Sequence, residues 1–364
     1  MSPVDAQQDT APAGPGPGAA APAAPGSTAA PRPGHVLGVD SGGSGVRIAI
    51  ARADTPGAPS VWSSAAPAVV GERGIDAAGL LARVLPAIRD LLRRAGTDRL
   101  DAVCVGAAGM ATLGEDLRAT LPRVLAEEFG VRRLALAADG VTAYAGALGQ
   151  RPGAVVAAGT GLIALGTGLD DGWRRADGWG HLLGDCGSGA WIGRAGLEAA
   201  LRAYDGRPGG SRPLLARAEA VFGPAGELPG ALYPRADRPA VLASFAPEVG
   251  RCAEHDPVAA AILDTAARHI AEAAEAVCPK APAPSHAPGR PTAGPRCAVA
   301  LTGGLFRMGD RLLTPVRAEL AARLPHAELR EAAGDPLAGA VAVAAALATD
   351  SLRLPPDPAL LHLV

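Results

Sequence analysis

The chain is short of lysine, of paired cysteines and of long apolar runs. Lys280 is the only lysine among 364 residues, so positive charge is almost entirely arginine, and the net charge is −2. No basic block occurs. A nucleic-acid surface is therefore not expected, since it needs clustered Lys and Arg to neutralise phosphate. The five cysteines (Cys104, Cys186, Cys252, Cys278 and Cys297) are odd in number and scattered. None sits in a CxxC or Cys/His spacing that would hold a metal, and a reducing compartment is the simplest reading. The longest apolar run, Ala338 to Ala348, is too short to span a bilayer. The first residues lack the basic stretch and apolar core of a secretory signal. The expectation is a soluble cytoplasmic protein with no membrane and no nucleic-acid partner.

Proline is missing from 153–207, and its distribution organises the chain. The total of 48 Gly and 34 Pro approaches a low-complexity composition. There is no Gly-X-Y period, which excludes collagen, and an apolar content of 48% excludes a disordered chain. Eight prolines lie in 1–34 and six in 279–295. The first stretch has almost no large apolar residue to offset ordering entropy and is expected to be a disordered tail. The second is expected to be an exposed loop inside the folded part. Glycine instead concentrates at 159–196, with 12 in 38 residues, where backbone shape matters.

The folded part alternates short apolar runs with amphipathic stretches. Val36–Val39 ends in Asp40-Ser41-Gly42-Gly43-Ser44-Gly45, and Val46–Ala51 follows at once, which predicts a β-hairpin. Apolar residues at 80, 81, 84, 88, 91 and 92 predict a helix. A strand at Ala102–Val105, a helix over 114–129 and a strand at Leu134–Ala137 follow, the last ending at Asp139-Gly140. The pattern then restarts. Ala154–Ala158, Gly159-Thr160-Gly161 and Leu162–Leu165 repeat the strand, glycine turn, strand layout. Helices are predicted at 187–204, 213–222, 239–252, 256–277, 309–323 and 335–348, with a strand at Cys297–Thr302. Hairpins mixed with crossover helices indicate an α/β class with mixed sheets. The repeated hairpin suggests two related halves around a cleft.

Five elements carry candidate chemistry. In the first glycine turn, backbone N–H groups of Gly42 and Gly43 can point into one concavity suited to phosphate. Ser41 and Ser44 can add hydroxyls, and Asp40 can hold a hydrated Mg²⁺. Gly159-Thr160-Gly161 occupies the equivalent place in the second half, so the two turns could share one polyphosphate. Asp139, at a strand end, is placed to take a proton from a hydroxyl, although an Asp-Gly turn has the same sequence. The stretch Gly178-Trp179-Gly180-His181-Leu182-Leu183-Gly184-Asp185-Cys186-Gly187-Ser188-Gly189 forms no regular element and then opens a helix. Asp185 could accept sugar-type hydroxyls, and Trp179 could wall a polar pocket. Gly303-Gly304, after an apolar strand, would let a flat ring approach the backbone.

Together and in this order, the elements resemble the BadF/BadG/BcrA/BcrD ATPase family of the actin-like ATPase superfamily, and its N-acetylglucosamine and glucosamine kinase members in particular. The stretches that carry the resemblance are GVDSGGSGVRIAIA, AADGVTAYAGALG, AGTGLIALGTG, GWGHLLGDCGSGAWIGRAGLEAAL and LTGGLFRMGDRLLTPV, covering about 36 to 350. The resemblance implies a duplicated ribonuclease-H-like fold. Its first domain would span 35–140, rejoined by a returning helix within 335–350, and its second 141–334. It implies ATP and Mg²⁺ as cofactors and phosphorylation of the 6-hydroxyl of an amino sugar. Asp139 falls on the catalytic base; Ser41, Gly42, Gly43, Ser44, Gly159, Thr160 and Gly161 on the phosphate motifs; Gly303 and Gly304 on the adenosine motif. Asp139, Thr160, Gly178, Trp179 and Asp185 fall on sugar positions, and Asp40 on the metal. Cys186 stands where the family often has Glu, Leu162 replaces a usual Ser, and the loop Pro67-Ala68-Val69-Val70 lacks an Asn used against sugar hydroxyls. Two other classes stay open: an ATPase activator of a radical enzyme, and a sugar sensor without turnover. A homodimer is one assembly the sequence allows.

Overall fold

The computed structural model describes residues 34–43, 45–71, 74–280 and 297–364. The expected tail over 1–34 (Gly34 aside), Ser44, and the expected loop 279–295 beyond its first two residues lie outside the described residues.

The first apolar run forms β1 (His35–Gly42) and the second β2 (Gly45–Arg52). They pair antiparallel from His35↔Arg52 to Gly42↔Gly45, so the glycine-rich stretch is a tight hairpin turn. β3 (Thr55–Ser64) pairs with β2, and a small ribbon of β4 (Val70–Gly71) and β5 (Gly74–Ile75) follows. The predicted first helix is α1 (Ala77–Ala95), which runs through Pro86. The Asp76 side chain caps it by accepting from the Gly79 N–H, and its apolar stripe from Leu80 to Leu92 is buried. Then come β6 (Ala102–Ala107), α2 (Met110–Leu113), α3 (Glu115–Phe129) and β7 (Leu134–Ala138). Asp139-Gly140 is not a turn. It starts α4 (Asp139–Leu148), a helix buried at nearly every position and therefore without the polar face that sequence reading needs.

The second half comprises β8 (Gly153–Ala158), β9 (Leu162–Thr167), β10 (Arg174–Asp177), α5 (Gly189–Tyr204), α6 (Arg212–Phe222), α7 (Leu228–Leu232), α8 (Arg238–Cys252), α9 (Pro257–Val277), β11 (Cys297–Thr302), α10 (Asp310–Arg323), β12 (Ala327–Glu331), α11 (Pro336–Ala348) and β13 (Leu361–Leu363). Two sheets result. One has the order β13-β7-β6-β1-β2-β3, the other β10-β9-β8-β11-β12. Leaving β13 aside, the two orders are the same. In each, an antiparallel three-strand meander is followed by two strands parallel to its first member. The duplication suggested by the two glycine turns is therefore a duplication of topology.

The same correspondence pairs α4, which follows β7, with α11, which follows β12. These two helices pack on each other, and α11 also lies against β1 and β6. Glycine permits the approach. A Cβ on Gly339 of α11 would collide with the Thr142 carbonyl of α4, and one on Gly146 of α4 with the Asp335 carbonyl. Gly38 of β1 lies under Val341, where a Cβ would come within 2.6 Å of the backbone nitrogen. Two hydrophobic cores form. One joins the first sheet with α1, α3, α4 and α11, and the other joins the second sheet with α5, α8, α9 and α10. Among the described residues no helix is long and apolar enough to cross a membrane.

Candidate active site

The parallel strands bring the predicted loops to the same ends of their sheets. In the first, Asp40 of β1 is level with Gly106 of β6, and Ala107 is level with Ala138 of β7. Asp40, the first glycine turn and Asp139 therefore leave the sheet at one edge. In the second, Thr302 of β11 is level with Ala157 of β8, so Gly303 emerges beside Gly159. A Cβ on Gly303 would collide with the Ala158 carbonyl, and its φ of 107° is one that L side chains avoid. Ligands of open α/β sheets bind outside such strand ends.

The glycines of these loops divide into two kinds. Gly45 and Gly303 need positive φ, and Gly161 must make room for Asp185, whose Oδ2 would lie 2.6 Å from a Cβ there. Gly42, Gly43, Gly159 and Gly304 need neither. Their φ values are outside the left-handed region, and nothing among the described residues lies within 4 Å of an added Cβ. Internal packing does not account for these four glycines. They leave backbone N–H groups open to an external group, as a phosphate-binding turn requires. Gly43, Thr160 and Gly304 are exposed, whereas Ser41 is only 3% exposed.

Asp139 lies half-buried at the N-terminus of α4, with Oδ1 accepting from the Gly140 N–H at 2.9 Å. Burial lifts its carboxyl above the ordinary carboxylate range, and the negative charge of Asp40 adds to this. The Gly140 N–H and the guanidinium of Arg175 act in the opposite sense. A carboxyl so raised suits a general base. Asp40 is from the first sheet and Arg175 from the second, so Asp139 feels both halves.

Asp40 is held by Arg47, at 2.6 Å from Nη2 and 3.1 Å from Nε. Arg47 also reaches Asp335, the N-cap of α11, at 2.5 Å. Sequence reading missed Arg47, which ties the first glycine turn to the returning helix.

The loop from Gly178 to Gly189 is organised by Asp177, also missed. Its Oδ1 accepts from the Asp185 N–H at 2.5 Å and its Oδ2 from the Cys186 N–H at 2.9 Å. Asp177 and Asp185 both take the left-handed conformation, with φ of 59° and 54°, which Asp tolerates better than most residues. The buried Asp185 carboxylate accepts from the Gly180 N–H at 3.1 Å. Burial raises its pKa, the backbone N–H groups of Gly180 and Leu162 oppose this, and the Asp177 charge adds to it. The second glycine turn is stitched to α5: Gly189 N–H donates to the Gly159 carbonyl at 2.9 Å and Ala190 N–H to that of Thr160 at 3.0 Å. Ser188 caps that helix. Trp179 is 65% exposed and stacks on Arg175, whose guanidinium carbon is 4.5 Å from the ring centroid. Arg175 also donates to the carbonyls of Asp177 and Gly178 at 3.0 and 2.7 Å.

Replacing Asp177 by Asn should loosen this loop without unfolding the protein. Asn keeps one acceptor and turns an NH₂ donor toward a backbone donor. A lost charge-assisted bond is worth about 1–3 kcal/mol, or about tenfold in the affinity of whatever Asp185 and Trp179 contact. If that ligand is the phosphoryl acceptor, its KM rises while the KM for ATP stays near the parent value. Steady-state kinetics with each substrate varied separately would show the split, and equal changes in both would refute it.

This is the duplicated α/β architecture of the actin-like ATPases. The model of the BadF/BadG/BcrA/BcrD ATPase family matches residues 37–344, and the chain belongs to that family. It is 29% identical over 175 residues to an N-acetylmuramic acid/N-acetylglucosamine kinase of Clostridium acetobutylicum. That match covers 48% of this chain and spans about half (55%) of the relative. A provisionally named N-acetylglucosamine kinase from Chromobacterium violaceum superposes with a TM-score of 0.64 at 29% identity, over 85% of this chain and 99% of that one. A glucokinase of the ROK family from Streptomyces griseus, solved with glucose and AMPPNP, shares the fold at a TM-score of 0.52 and 21% identity, over 85% and 98% of the two chains.

Proposed function

We propose that the protein is an ATP-dependent amino-sugar kinase that phosphorylates the 6-hydroxyl of N-acetylglucosamine or a close relative. The four glycines that packing does not require carry the reading, because they leave backbone bare at strand ends in both halves of a duplicated fold. In this reading ATP lies between the two glycine turns, with its adenosine beside Gly303-Gly304. The sugar lies against Thr160, Gly178, Trp179 and Asp185. Asp139 takes the proton of the 6-hydroxyl as that oxygen attacks the γ-phosphorus in line, and ADP leaves. The Clostridium relative and the Chromobacterium structure support the choice of an amino sugar over a plain hexose.

Mg²⁺ fits this site only as a passenger on ATP. Among the described residues no group of three or more His, Cys, Asp or Glu could hold a metal. Asp40 would be its protein carboxylate, with Arg47 occupying Oδ2. Mg²⁺ is commonly bound by one or two carboxylates plus phosphates and water. When bound it neutralises phosphate charge.

The test is ADP release over N-acetylglucosamine, glucosamine, N-acetylmannosamine and N-acetylmuramic acid, with the parent and Gly159→Ala. The parent should turn over ATP only with an amino sugar. The variant should melt as the parent does and show a KM for ATP raised about tenfold or more, the effect of roughly 1.4 kcal/mol of steric conflict with the nucleotide. ATP binding without sugar-dependent turnover would instead mark a sensor.

A further inference from the structure

The five cysteines read as scattered, but the fold brings two of them together. Cys278 ends α9, its N–H donating to the Ala274 carbonyl at 2.9 Å. Cys297 begins β11, level with Ala327 of β12. Their Sγ atoms face each other at 2.6 Å, against roughly 2.0 Å for a bonded pair. Cys297 is part of β11, and Cys278 is the C-cap residue directly after α9. The end of α9 is pressed onto β9, where a Cβ on Gly166 would collide with the Val277 carbonyl. Cys278 is buried and Cys297 half-buried. Cys104, Cys186 and Cys252 have no such partner among the described residues.

We infer that Cys278 and Cys297 form a redox-active pair that closes to an intramolecular disulfide, stapling the two ends of the intervening segment. The oxidant class is a low-molecular-weight disulfide. The Cys297 thiolate attacks one sulfur of that disulfide, forming a mixed disulfide and expelling a thiolate. The Cys278 thiolate then attacks the Cys297 sulfur and expels the second thiolate. The two protons leave with the expelled groups, so two protein thiols are oxidised and one small disulfide is reduced. The order follows from exposure. Cys297 is half-buried and Cys278 buried, so the small disulfide meets the Cys297 sulfur first, and the contact with Cys278 holds the Cys297 thiol below its ordinary range. The positive charge of Arg174 then favours the Cys278 thiolate in the second step. The staple sits at the start of β11 and Gly303 follows its end, so the pair is separate from the proposed nucleotide site.

The single lysine supplies the experiment. Lys280 lies between the two cysteines, so a lysine-specific endoprotease divides the chain into 1–280 and 281–364, with one cysteine of the pair in each. The purified full chain is equilibrated with either oxidised glutathione or dithiothreitol. Free thiols are blocked, and the protein is unfolded in urea and digested. After oxidation the fragments should run together on a non-reducing denaturing gel and separate on reduction, with mass mapping placing the bond at Cys278–Cys297. After dithiothreitol, and in Cys278→Ser under either condition, they should run apart. The undigested oxidised form should also melt about 5 °C above the reduced form, since closing such a loop restricts the unfolded chain. Separate fragments after oxidation, a bond to any other cysteine, or an oxidised form that melts no higher would overturn the inference.

Discussion

Asp139→Asn is expected to lower sugar-dependent ATP turnover by about 10²–10⁴-fold, the usual range for a removed general base. Asn is nearly the same shape and still accepts from the Gly140 N–H, so ATP and sugar should bind close to normally. The loss should therefore fall on kcat. The raised pKa of Asp139 gives the parent a pH signature with a definite sign. The base must be ionised, so kcat/KM declines as pH falls through the folded pKa, with a midpoint above the ordinary Asp value of about 3.9. In the variant that acid limb disappears along with the activity. Stability should move the other way. A carboxyl whose folded pKa lies above its unfolded value opposes folding when ionised. The opposition is full above the folded pKa and vanishes below the unfolded one. Asn carries no charge, so at neutral pH the variant should melt no lower than the parent. Residual turnover within about tenfold of the parent would remove Asp139 from the role of base.

The largest effect on stability is expected from Gly339→Ala. Helix propensity alone favours the change by about 1 kcal/mol. The position decides otherwise, because the new methyl would meet the Thr142 carbonyl and the Gly146 nitrogen, which are backbone atoms of α4. A backbone cannot turn to another rotamer, so α11 must move off α4 and off β1. Overpacking of this kind costs about 1–3 kcal/mol and sometimes more, and here it acts on a helix shared by both packing neighbours. A fall in melting temperature of about 5–8 °C is expected. Gly230→Ala, in α7, is the control: nothing lies within 4 Å of its added Cβ, so helix propensity acts alone and it should melt no lower than the parent. Thermal unfolding of the pair would settle the matter. Equal melting temperatures would mean that the α4–α11 contact yields easily.

Much of the fold was legible because the glycine turns punctuate apolar runs so sharply. β1, β2, β8 and β9 follow that pattern, and helices such as α1 and α9 have buried stripes at helical spacing. What escaped has physical causes. β3 and β12 are exposed edge strands, with Gly57 and two prolines in one and alternating charges in the other, so ladder pairing and not hydrophobicity makes them strands. α4 is buried all round and shows no period. In the site, Asp40, Asp139 and the glycines stand in readable motifs. Arg47, Arg175 and Asp177 do not, since their roles arise from contacts with backbone and with residues of other elements. The Cys278–Cys297 contact depends on where α9 ends relative to β11, which spacing does not reveal.

The closing of the first sheet has a consequence for synthesis. β7 gains its outer neighbour only when residues 361–363 arrive as β13, and the face beneath β1 and β6 is covered by α11. A ribosome delivers β1 to β7 long before either. The second sheet and its helices, in contrast, come from one uninterrupted stretch between β8 and β12. Domains usually mature in the order they are made. Here the half translated first cannot complete its sheet or cover that face until residues 336–363 have been made.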